Sequence, residues 1–379
     1  MLCEVLVAKK KKGEFDGFPD SLTKGLCTGD DPYIDARKIP TGIPSVDHAF
    51  GGGWGCSRLA ELFGEFGATK SALSYMTLAQ VQKMDGLAIL IDSEGGYTKE
   101  FFANLGGVPS QLFIPTDVDD VQAVFTFVAN KCKELAQFGK ETPPVIIVWD
   151  SIAETRSRHT AEVGMDKMDM QKARAISQGV DYVIPLVKKC NLCMIGINQT
   201  IENINSMSSA ALTPGGRKWK YGASHRVNMQ YDGGPKTSAI FDKTNSTEIG
   251  RRIRGTVVKS KFGPGGAQFI LPLYTVAGYS HPVYDRETFV GYDVEESLFD
   301  YYVNGRFFVG DDKTNESRVV IQDGGWYSLH ESIDSSKKKF RAKEWPNKLQ
   351  EYPELWRLLY DDLEMSPEDI AKVVPVAVA

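Results

Sequence analysis

The stretch Leu62-Phe63-Gly64-Glu65-Phe66-Gly67-Ala68-Thr69-Lys70-Ser71 passes from apolar residues through a glycine-containing segment into a Lys-Ser pair. Such a segment between a strand and a helix is typical of a phosphate-binding loop, whose backbone N–H groups surround a polyphosphate at the positive end of the helix. In these loops a lysine reaches the β- and γ-phosphates and a hydroxyl binds Mg²⁺. The sequence therefore predicts a nucleoside triphosphate site in which Lys70 and Ser71 have these two roles.

The residues around this loop favour the same interpretation, although one position departs from the usual pattern. The pattern G-x-x-x-x-G-K-[ST] has glycine where this chain has Thr69. Residues 58–63 have the composition of a strand, and residues 72–84 carry apolar side chains at helical spacing before Asp85-Gly86. An ordinary glycine-bearing turn is the alternative, but the order strand, loop, helix is the one that phosphate binding requires.

Length and composition favour a large α/β core with smaller flanking pieces. The chain has 379 residues, of which 42% are hydrophobic. It contains no apolar run long enough to span a bilayer, and its first residues, Met1-Leu2-Cys3-Glu4, lack the layout of a signal peptide. We therefore expect a soluble cytoplasmic protein with no membrane partner.

Cysteine usage excludes a disulfide framework, because six cysteines are sparse for a chain of this length. Cys190 and Cys193 form a C-x-x-C pair without a second pair, and they lead into an apolar strand. We expect buried thiols here, and not a metal or redox site.

The order of the predicted elements indicates the fold class. Apolar runs at residues 87–92, 145–150 and 192–198 predict buried strands, and they alternate with helical patterns such as residues 119–138. This alternation predicts a mostly parallel sheet covered on both faces. Strands follow in close succession from residue 226 to residue 274, which predicts an antiparallel extension of that sheet.

Three segments are expected along the chain. Residues 1–38 form an N-terminal arm or tail, and residues 39–276 form the α/β core. Residues 277–379, which are rich in aromatic and charged residues, form a small C-terminal α+β domain.

Two carboxylates have the positions that triphosphate hydrolysis needs. Asp150 ends a hydrophobic strand, where it could hold Mg²⁺ beside the phosphate loop. Glu94 follows the preceding strand, where it could orient or deprotonate water. Each residue taken singly could instead be a charged cap on a strand end, but their occurrence together makes that reading improbable.

Charge is distributed unevenly. The formal net charge of the chain is −5, yet residues 215–262 contain eleven lysines and arginines against three acidic residues. Such a segment is a plausible surface for a polyanion. A solvated face of strands and loops is the alternative.

At this point the chain resembles the RecA-type recombinases, and most closely the UvsX-type recombinases of T-even phages. The resemblance is carried, in the order of the family, by residues 64–71, Ile91-Asp92-Ser93-Glu94, Val148-Trp149-Asp150-Ser151, Ile197-Asn198-Gln199, Thr213-Pro214-Gly215-Gly216, residues 257–261 and Gly325-Trp326-Tyr327-Ser328. It implies a RecA-like phosphate-loop NTPase core. It also suggests a phage origin, in which case the location would be the host-cell cytoplasm.

The resemblance implies a role for each matching residue of the nucleotide site. Lys70, Ser71 and Asp150 would bind ATP and Mg²⁺, with Ser71 and Asp150 as the metal ligands, and Glu94 would activate water. The remaining contacts to the nucleotide would come from Gly64, Glu65, Phe66, Gly67, Ala68 and Thr69, and from Phe101 beside the adenine. Gln199 would sense the γ-phosphate, and Lys259 and Lys261, on one face of a strand, would reach the ATP of a neighbouring subunit.

Two loops would face DNA. The first covers residues 156–169 and contributes Arg156, Arg158 and Lys167. The second covers residues 202–216 and is followed by Arg217, Lys218 and Lys220, which can neutralise phosphates. Trp219 is either a core side chain or a stacking platform for a base, and Tyr221 matches an interface aromatic of the family.

These expectations combine into a DNA-dependent ATPase that forms a filament on single-stranded DNA and catalyses pairing and strand exchange with duplex DNA. Loading or mediator proteins and single-strand-binding proteins are further expected partners. One rival is a RecA-fold hexameric helicase or motor, with Arg251, Arg252 or Arg254 as an arginine finger. Another is a filament or mediator protein that binds ATP and DNA without turnover, which the substitution at Thr69 suggests.

Overall fold

A computed structural model describes residues 37–139, 142–158, 165–200, 213–244, 246–263, 265–304, 307–309, 313–314, 316–363, 365 and 370, with only the backbone of residues 165–169. The arm predicted for residues 1–38 lies almost entirely outside these ranges. Within them, no helix combines the length and the hydropathy that crossing a bilayer takes.

The strands and helices are numbered in chain order. The strands are β1 Lys38–Ile39, β2 Trp54–Gly55, β3 Arg58–Gly64, β4 Leu87–Asp92, β5 Leu112–Phe113, β6 Val145–Asp150, β7 Leu192–Gln199, β8 His225–Tyr231, β9 Ala239–Phe241, β10 Glu248–Lys259, β11 Gln268–Tyr274, β12 Gly291–Tyr292, β13 Val320–Asp323 and β14 Trp326–Leu329. The helices are α1 Pro44–Phe50, α2 Lys70–Lys83, α3 Lys99–Asn104, α4 Val121–Leu135, α5 Met165–Val187, α6 Gly216–Gly222, α7 Val294–Val303, α8 Trp345–Glu351 and α9 Glu354–Asp362.

A central sheet organises the molecule, with the strand order β12-β11-β10-β8-β3-β7-β6-β4-β5, and β9 pairs with β10. The pairings from β8 through β3, β7, β6 and β4 to β5 are parallel. The pairings that involve β9, β10, β11 and β12 are antiparallel. The predicted fold class, a mostly parallel sheet with an antiparallel extension, is confirmed.

Both faces of the sheet are covered by helices. Side chains on a strand alternate between its two faces, so those of each central strand are divided between two apolar clusters. On β4, Leu90 belongs to one apolar cluster and Ile89 to the other; on β6 the same holds for Val148 and Ile147. Side chains of α1, α2, α7, α8 and α9 pack in the first cluster, and side chains of α4 and α5 pack in the second. This two-sided burial explains why the central strands are continuous apolar runs.

The C-terminal segment contributes to the first of these clusters. Tyr302, Val320 and Trp345, for example, are fully or almost fully buried there together with residues of β3 and β4. The domain boundary expected near residue 277 stays a prediction.

The first helix starts with a proline and not after a side-chain cap. Ser45 has the residue type of an N-cap, but α1 begins at Pro44 and its N-cap is Ile43, which forms no side-chain cap. A proline fits the first helical position, because its fixed φ suits the helix and its missing N–H would be unpaired there. The Ser45 hydroxyl is instead 2.7 Å from the Ser297 hydroxyl.

The carboxyl ends of four parallel strands meet at one edge of the sheet. Gly64 at the end of β3 is opposite Gln199 at the end of β7. Asp92 at the end of β4 is opposite Asp150 at the end of β6. The residues predicted to carry chemistry therefore converge on the edge from which the phosphate loop begins.

Candidate nucleotide-binding site

The loop between β3 and α2 needs glycine at two positions. Gly64 has φ +150°, and a Cβ there would lie 1.8 Å from the Met229 carbonyl oxygen. Gly67 has φ +73°, and a Cβ there would lie 2.3 Å from the Tyr231 hydroxyl. At Gly64 the backbone of β8 leaves no room for a Cβ, and at Gly67 a Cβ would have to displace the Tyr231 hydroxyl at a positive φ. Glycine therefore suits both positions, and the loop packs against β8 while α2 starts at Lys70.

Lys70 lies inside the loop that it follows. Its side chain is buried, and Nζ donates to the carbonyl oxygens of Glu65 at 2.7 Å and Gly64 at 3.3 Å. Burial lowers the pKa of Lys70, while the charges of Asp150 and Glu94 act in the opposite direction. The ammonium group is therefore held against two carbonyl groups of the loop, beside the N-terminus of α2, whose first N–H groups have no intrahelical partner.

Thr69 stands where phosphate loops usually have glycine, and its backbone has the conformation that favours glycine. Its φ of 54° and ψ of 30° lie in the left-handed region, which costs an L-residue about 1–2 kcal/mol. Its side chain contacts a residue far along the chain: Thr69 Oγ1 is 2.8 Å from the Tyr292 hydroxyl. A contact with a residue that is distant in sequence therefore accompanies threonine at this position of the loop.

Asp150 and Ser71 have the chemistry of a Mg²⁺ site. Asp150 is 4% exposed, and its Oδ1 has no hydrogen-bond partner among the described residues. Burial raises the pKa of Asp150 to about 6, against a hydrogen bond from Ser71, and the negative charge of Glu94 raises it further. Carboxylate and hydroxyl oxygens are suitable Mg²⁺ ligands, and a cation at Oδ1 would compensate a buried charge that is now unsatisfied. The residues present fit the metal.

Glu94 lies in a loop that is fixed to the same edge. The Asp92 carboxylate accepts two backbone N–H bonds from the turn after β4, each 3.1 Å long. The Glu94 N–H donates to the Asp150 carbonyl oxygen at 3.3 Å. The Ser151 hydroxyl donates to Glu94 Oε1 at 2.5 Å. The exposed Glu94 carboxylate is therefore oriented beside Asp150 and open to solvent, as an acceptor for a water proton would be.

Gln199 lies at the root of the second predicted loop and beside the first residue of the phosphate loop. Its neighbour Asn198 is fully buried and donates from Nδ2 to Glu61 Oε1 at 3.0 Å and to the Pro214 carbonyl oxygen at 2.8 Å. Asn198 thus joins both ends of the loop, of which residues 201–212 lie outside the described ranges, to the strand that leads into the phosphate site.

A buried ion pair continues this connection across the sheet. Arg226 on β8 donates from Nε to Glu61 Oε2 on β3 at 2.5 Å, with side chains that are 7% and 0% exposed. The Arg226 guanidinium also lies 4.5 Å from the ring centroid of Phe63. In the sheet, Arg226 is paired with Lys259 of β10.

The two lysines expected on one strand face are placed differently. β10 ends at Lys259, so Lys261 lies beyond the strand, and the strand register shifts between Val257 and Lys259. Lys259 Nζ donates to the Tyr221 carbonyl oxygen at 2.9 Å and to the Lys220 carbonyl oxygen at 3.4 Å. Since the carboxyl end of a helix attracts cations, Lys259 stabilises the end of α6.

Phe101 lies on α3, whose first turn is capped by the Thr98 hydroxyl, which accepts from the Phe101 N–H at 3.3 Å. Its ring packs edge to face against Tyr75 of α2, with centroids 6.2 Å apart. Phe101 is therefore joined to the helix that begins at the phosphate loop. Its contact with adenine stays a prediction.

The basic residues after the second loop lie on α6. Arg217, Lys218 and Lys220 are exposed, while Trp219 is 1% exposed and packs in the core. Lys218 is 2.8 Å from the Asp181 carboxylate in a solvent-exposed ion pair. The interpretation of Trp219 as a core residue is confirmed, and the three cations form a solvent-facing strip.

The first predicted DNA-facing loop, residues 156–169, is described only in part: residues 159–164 lie outside the described ranges, and residues 165–169 belong to α5. Arg156 is exposed, and Arg158 donates to the Asp120 carboxylate at 2.9 Å. Lys167 lies in α5, and its side chain is not among those described. The roles of these three residues stay predictions.

Ion pairs reduce the charge that the basic segment presents. Besides Arg226 and Lys218, the arginines 251, 252 and 254 bond to the carboxylates of Glu248, Glu296 and Asp232, respectively. Several of these carboxylates lie outside residues 215–262, so a count of the charged residues within that segment leaves them out. The polyanion surface expected there is accordingly smaller than the local charge indicates.

Several residues that shape the site have no assigned role in the sequence interpretation: Glu61, Asp92, Ser151, Asn198 and Tyr292. For Asp92, Ser151 and Asn198 a signal exists, because they adjoin Glu94, Asp150 and Gln199 at strand ends. Glu61 and Tyr292 have no local signal, since their partners are distant in sequence.

Together, the glycine-dependent loop, the carboxylates at the ends of β4 and β6 and the mostly parallel sheet define an α/β protein of the phosphate-loop class. The family description "RecA N-terminal domain" matches residues 22–274. The chain therefore belongs to the RecA family.

Bacterial proteins named "Protein RecA" are similar over most of the chain. The protein of Heliobacterium modesticaldum is 30% identical over 294 residues, which cover 76% of this chain and 73% of that protein. The protein of Thermus aquaticus is 29% identical over 261 residues, covering 68% and 72%. The protein of Borrelia duttonii is 26% identical over 296 residues, covering 77% of each. These relatives support a recombinase or ATPase of this family, while the expected closeness to phage proteins stays a prediction.

Proposed function

We propose that this protein is a DNA-dependent ATPase that polymerises on single-stranded DNA and catalyses homologous pairing and strand exchange with a duplex. The observation that carries the proposal is the convergence of Lys70, Asp150, Glu94 and Gln199 on one edge of the sheet, where a buried Asp150 oxygen has no described partner. Membership in the RecA family supports the same activity.

In the proposed reaction, backbone N–H groups of residues 66–71 bind the phosphates and Lys70 exchanges its two carbonyl partners for phosphate oxygens. Ser71 and Asp150 would hold Mg²⁺, which would neutralise phosphate charge when bound. Glu94, oriented by Ser151, accepts a proton from the attacking water. The exposed Glu94 carboxylate and its bond to Ser151 support this assignment.

Gln199 would couple the nucleotide to DNA. Its amide can donate to a γ-phosphate oxygen and lose that bond after hydrolysis. The state of the bound nucleotide would therefore determine the position of the second loop. Asn198 supports this coupling, because it joins the two ends of the second loop to β3. Arg217, Lys218 and Lys220 would then neutralise DNA phosphates when the loop engages the strand, and affinity would fall with salt.

Assembly would complete the site. Lys259 and Lys261 are proposed to reach the triphosphate of an adjoining subunit, where a cation stabilises charge on the transferring phosphoryl group. Lys259 would leave the end of α6 to do so. Because α6 also carries the proposed DNA contacts, polymerisation and strand binding would act on one element. Loading, mediator and single-strand-binding proteins are proposed as partners of this assembly.

The ring-forming motor is less well supported. An arginine finger must be available to a neighbour, whereas Arg251, Arg252 and Arg254 bond to carboxylates of their own chain.

Phosphate release with and without single-stranded DNA tests the proposal, together with negative-stain images in a slowly hydrolysed ATP analogue. We expect turnover to rise several-fold on addition of the polynucleotide and helical filaments to form. Turnover that is unaffected by DNA in a protein that stays monomeric would refute it. Filaments without turnover would favour the non-catalytic alternative, and rings would favour the motor.

A further inference from the structure

Tyr292 contacts the phosphate-binding loop from an antiparallel strand at the far end of the sheet. β12 places it opposite Leu273 of β11, and its side chain is 3% exposed. Its hydroxyl donates to the Thr69 carbonyl oxygen at 2.9 Å and lies 2.8 Å from Thr69 Oγ1. Because a phenol has one hydrogen, the oxygen of Tyr292 then accepts from the threonine hydroxyl. The two residues form a reciprocal pair of hydrogen bonds.

Thr69 is the residue of the loop that most needs such a partner. It is β-branched and has φ 54°, a conformation that glycine adopts readily and that a β-branched residue adopts only under constraint. The Thr69 carbonyl also accepts from the Leu73 N–H at 3.3 Å. A rotation of Thr69 would therefore disturb the first turn of α2, where Lys70 and Ser71 present their N–H groups.

We propose that Tyr292 is a positioning residue of the phosphate-binding loop, which holds Thr69 in the left-handed conformation that directs the N–H groups of Lys70 and Ser71 toward the triphosphate. This inference rests on the proposed function, since it concerns the same nucleotide site. Burial raises the pKa of Tyr292 above its ordinary value, so the hydroxyl remains a donor at neutral pH. The requirement for Tyr292 exists because residue 69 is threonine, and glycine at that position removes it.

Four full-length proteins test this dependence: the wild type, Tyr292→Phe, Thr69→Gly and the double variant. The probe is a fluorescent ATP analogue with Mg²⁺ in the absence of DNA, and the measured quantity is its Kd. We expect Tyr292→Phe to raise the Kd about tenfold in the wild-type background, as loss of a buried hydrogen-bond pair would. In the Thr69→Gly background the same substitution changes the Kd less than about twofold.

Tyr302→Phe is the matched control. The Tyr302 hydroxyl is also buried and donates to a backbone carbonyl, that of Leu355, at 2.7 Å. This variant lowers the thermal midpoint and leaves the Kd unchanged within about twofold, which separates general destabilisation from an effect on the loop.

Equal changes in Kd on Tyr292→Phe in both backgrounds, or no change in either, would overturn the inference while leaving the proposed function intact. Failure of the wild-type protein to bind the analogue would overturn the proposed function and this inference together.

Discussion

Asp150 is buried near two other carboxylates, and its Oδ1 has no partner among the described residues. A charged group in this position lowers stability unless a cation is bound. We expect Asp150→Asn to raise the free energy of unfolding by about 1–3 kcal/mol in the presence of a chelator and to abolish ATP turnover. Denaturant unfolding and phosphate release measure the two effects. A variant that is less stable than the wild type in chelator would contradict the account of the site.

Lys70 and Glu94 lie at the same edge of the sheet but have different partners, so their variants should fail at different steps. Lys70→Ala should weaken nucleotide binding at least about tenfold, because a charged donor is lost. Glu94→Gln should leave binding and filament assembly intact and reduce turnover by about 10²–10⁴-fold. Nucleotide titration and single-turnover phosphate release distinguish the two outcomes. Equal loss of binding in both variants would show that the roles are wrongly assigned.

His225 makes the stability of the folded protein depend on pH. It is 1% exposed, neither ring nitrogen has a described partner, and the rings of Phe50, Trp54 and Phe262 surround it. Burial lowers the pKa of His225 to about 4, and the positive charge of Lys38 adds to the shift.

The unfolded chain therefore binds a proton at His225 below about pH 6.5, whereas the folded chain binds it only below about pH 4. The free energy of unfolding consequently decreases as the pH is lowered across that interval. Relative to His225→Leu, the wild type should lose about 3 kcal/mol of unfolding free energy between pH 7 and pH 4. Parallel denaturant titrations of both proteins measure the difference. Other titrating groups, such as Asp47, occur in both proteins and cancel. A difference that is constant with pH would show that the imidazole takes up its proton at the same pH in the folded and the unfolded protein.

At the scale of elements, β8, β3 and β7 are joined beneath the nucleotide site by Arg226, Glu61 and Asn198. Removing one partner of a buried ion pair leaves the other charge uncompensated, so Arg226→Met should cost about 3–5 kcal/mol. Adding Glu61→Gln should recover most of this, because the amide oxygen still accepts from Asn198. Denaturant unfolding of the single and double variants measures the coupling.

Arg254→Met is the control for that experiment. Arg254 lies on β10 and pairs with Asp232, but its side chain is 43% exposed. Its loss should cost less than about 1 kcal/mol. Similar losses for Arg226→Met and Arg254→Met would mean that the Glu61 ion pair is as weak as a surface pair.

At the scale of the whole molecule, the proposed assembly predicts complementation. Lys70→Ala and Lys259→Ala should each be inactive. The first variant lacks a residue of its own nucleotide pocket, and the second lacks the residue that completes the pocket of the neighbouring subunit. In an equal mixture that assembles at random through head-to-tail contacts, about one quarter of the interfaces join an intact pocket to an intact Lys259. Phosphate release from mixtures at several ratios should therefore show partial recovery. If every ratio stays inactive, Lys259 does not act across an interface.

Local sequence patterns were sufficient to predict the parallel core of the sheet. The strands expected at residues 87–92 and 145–150 have the same bounds in the structure. The phosphate loop lies between a strand and a helix as expected. These features follow from short-range rules, because a strand buried on both faces must be apolar throughout and a backbone that approaches β8 closely must be glycine.

The sequence by itself determined the class of sheet, the loop and the carboxylates at its edge. Only the tertiary structure decided that Thr69 bonds to Tyr292, 223 residues away, that Glu61 pairs with Arg226, and that the arginines of β10 are paired within the chain. The physical reason is that hydrogen bonds and ion pairs depend on which strands become neighbours and in which register, and composition within a segment carries no information about partners outside it.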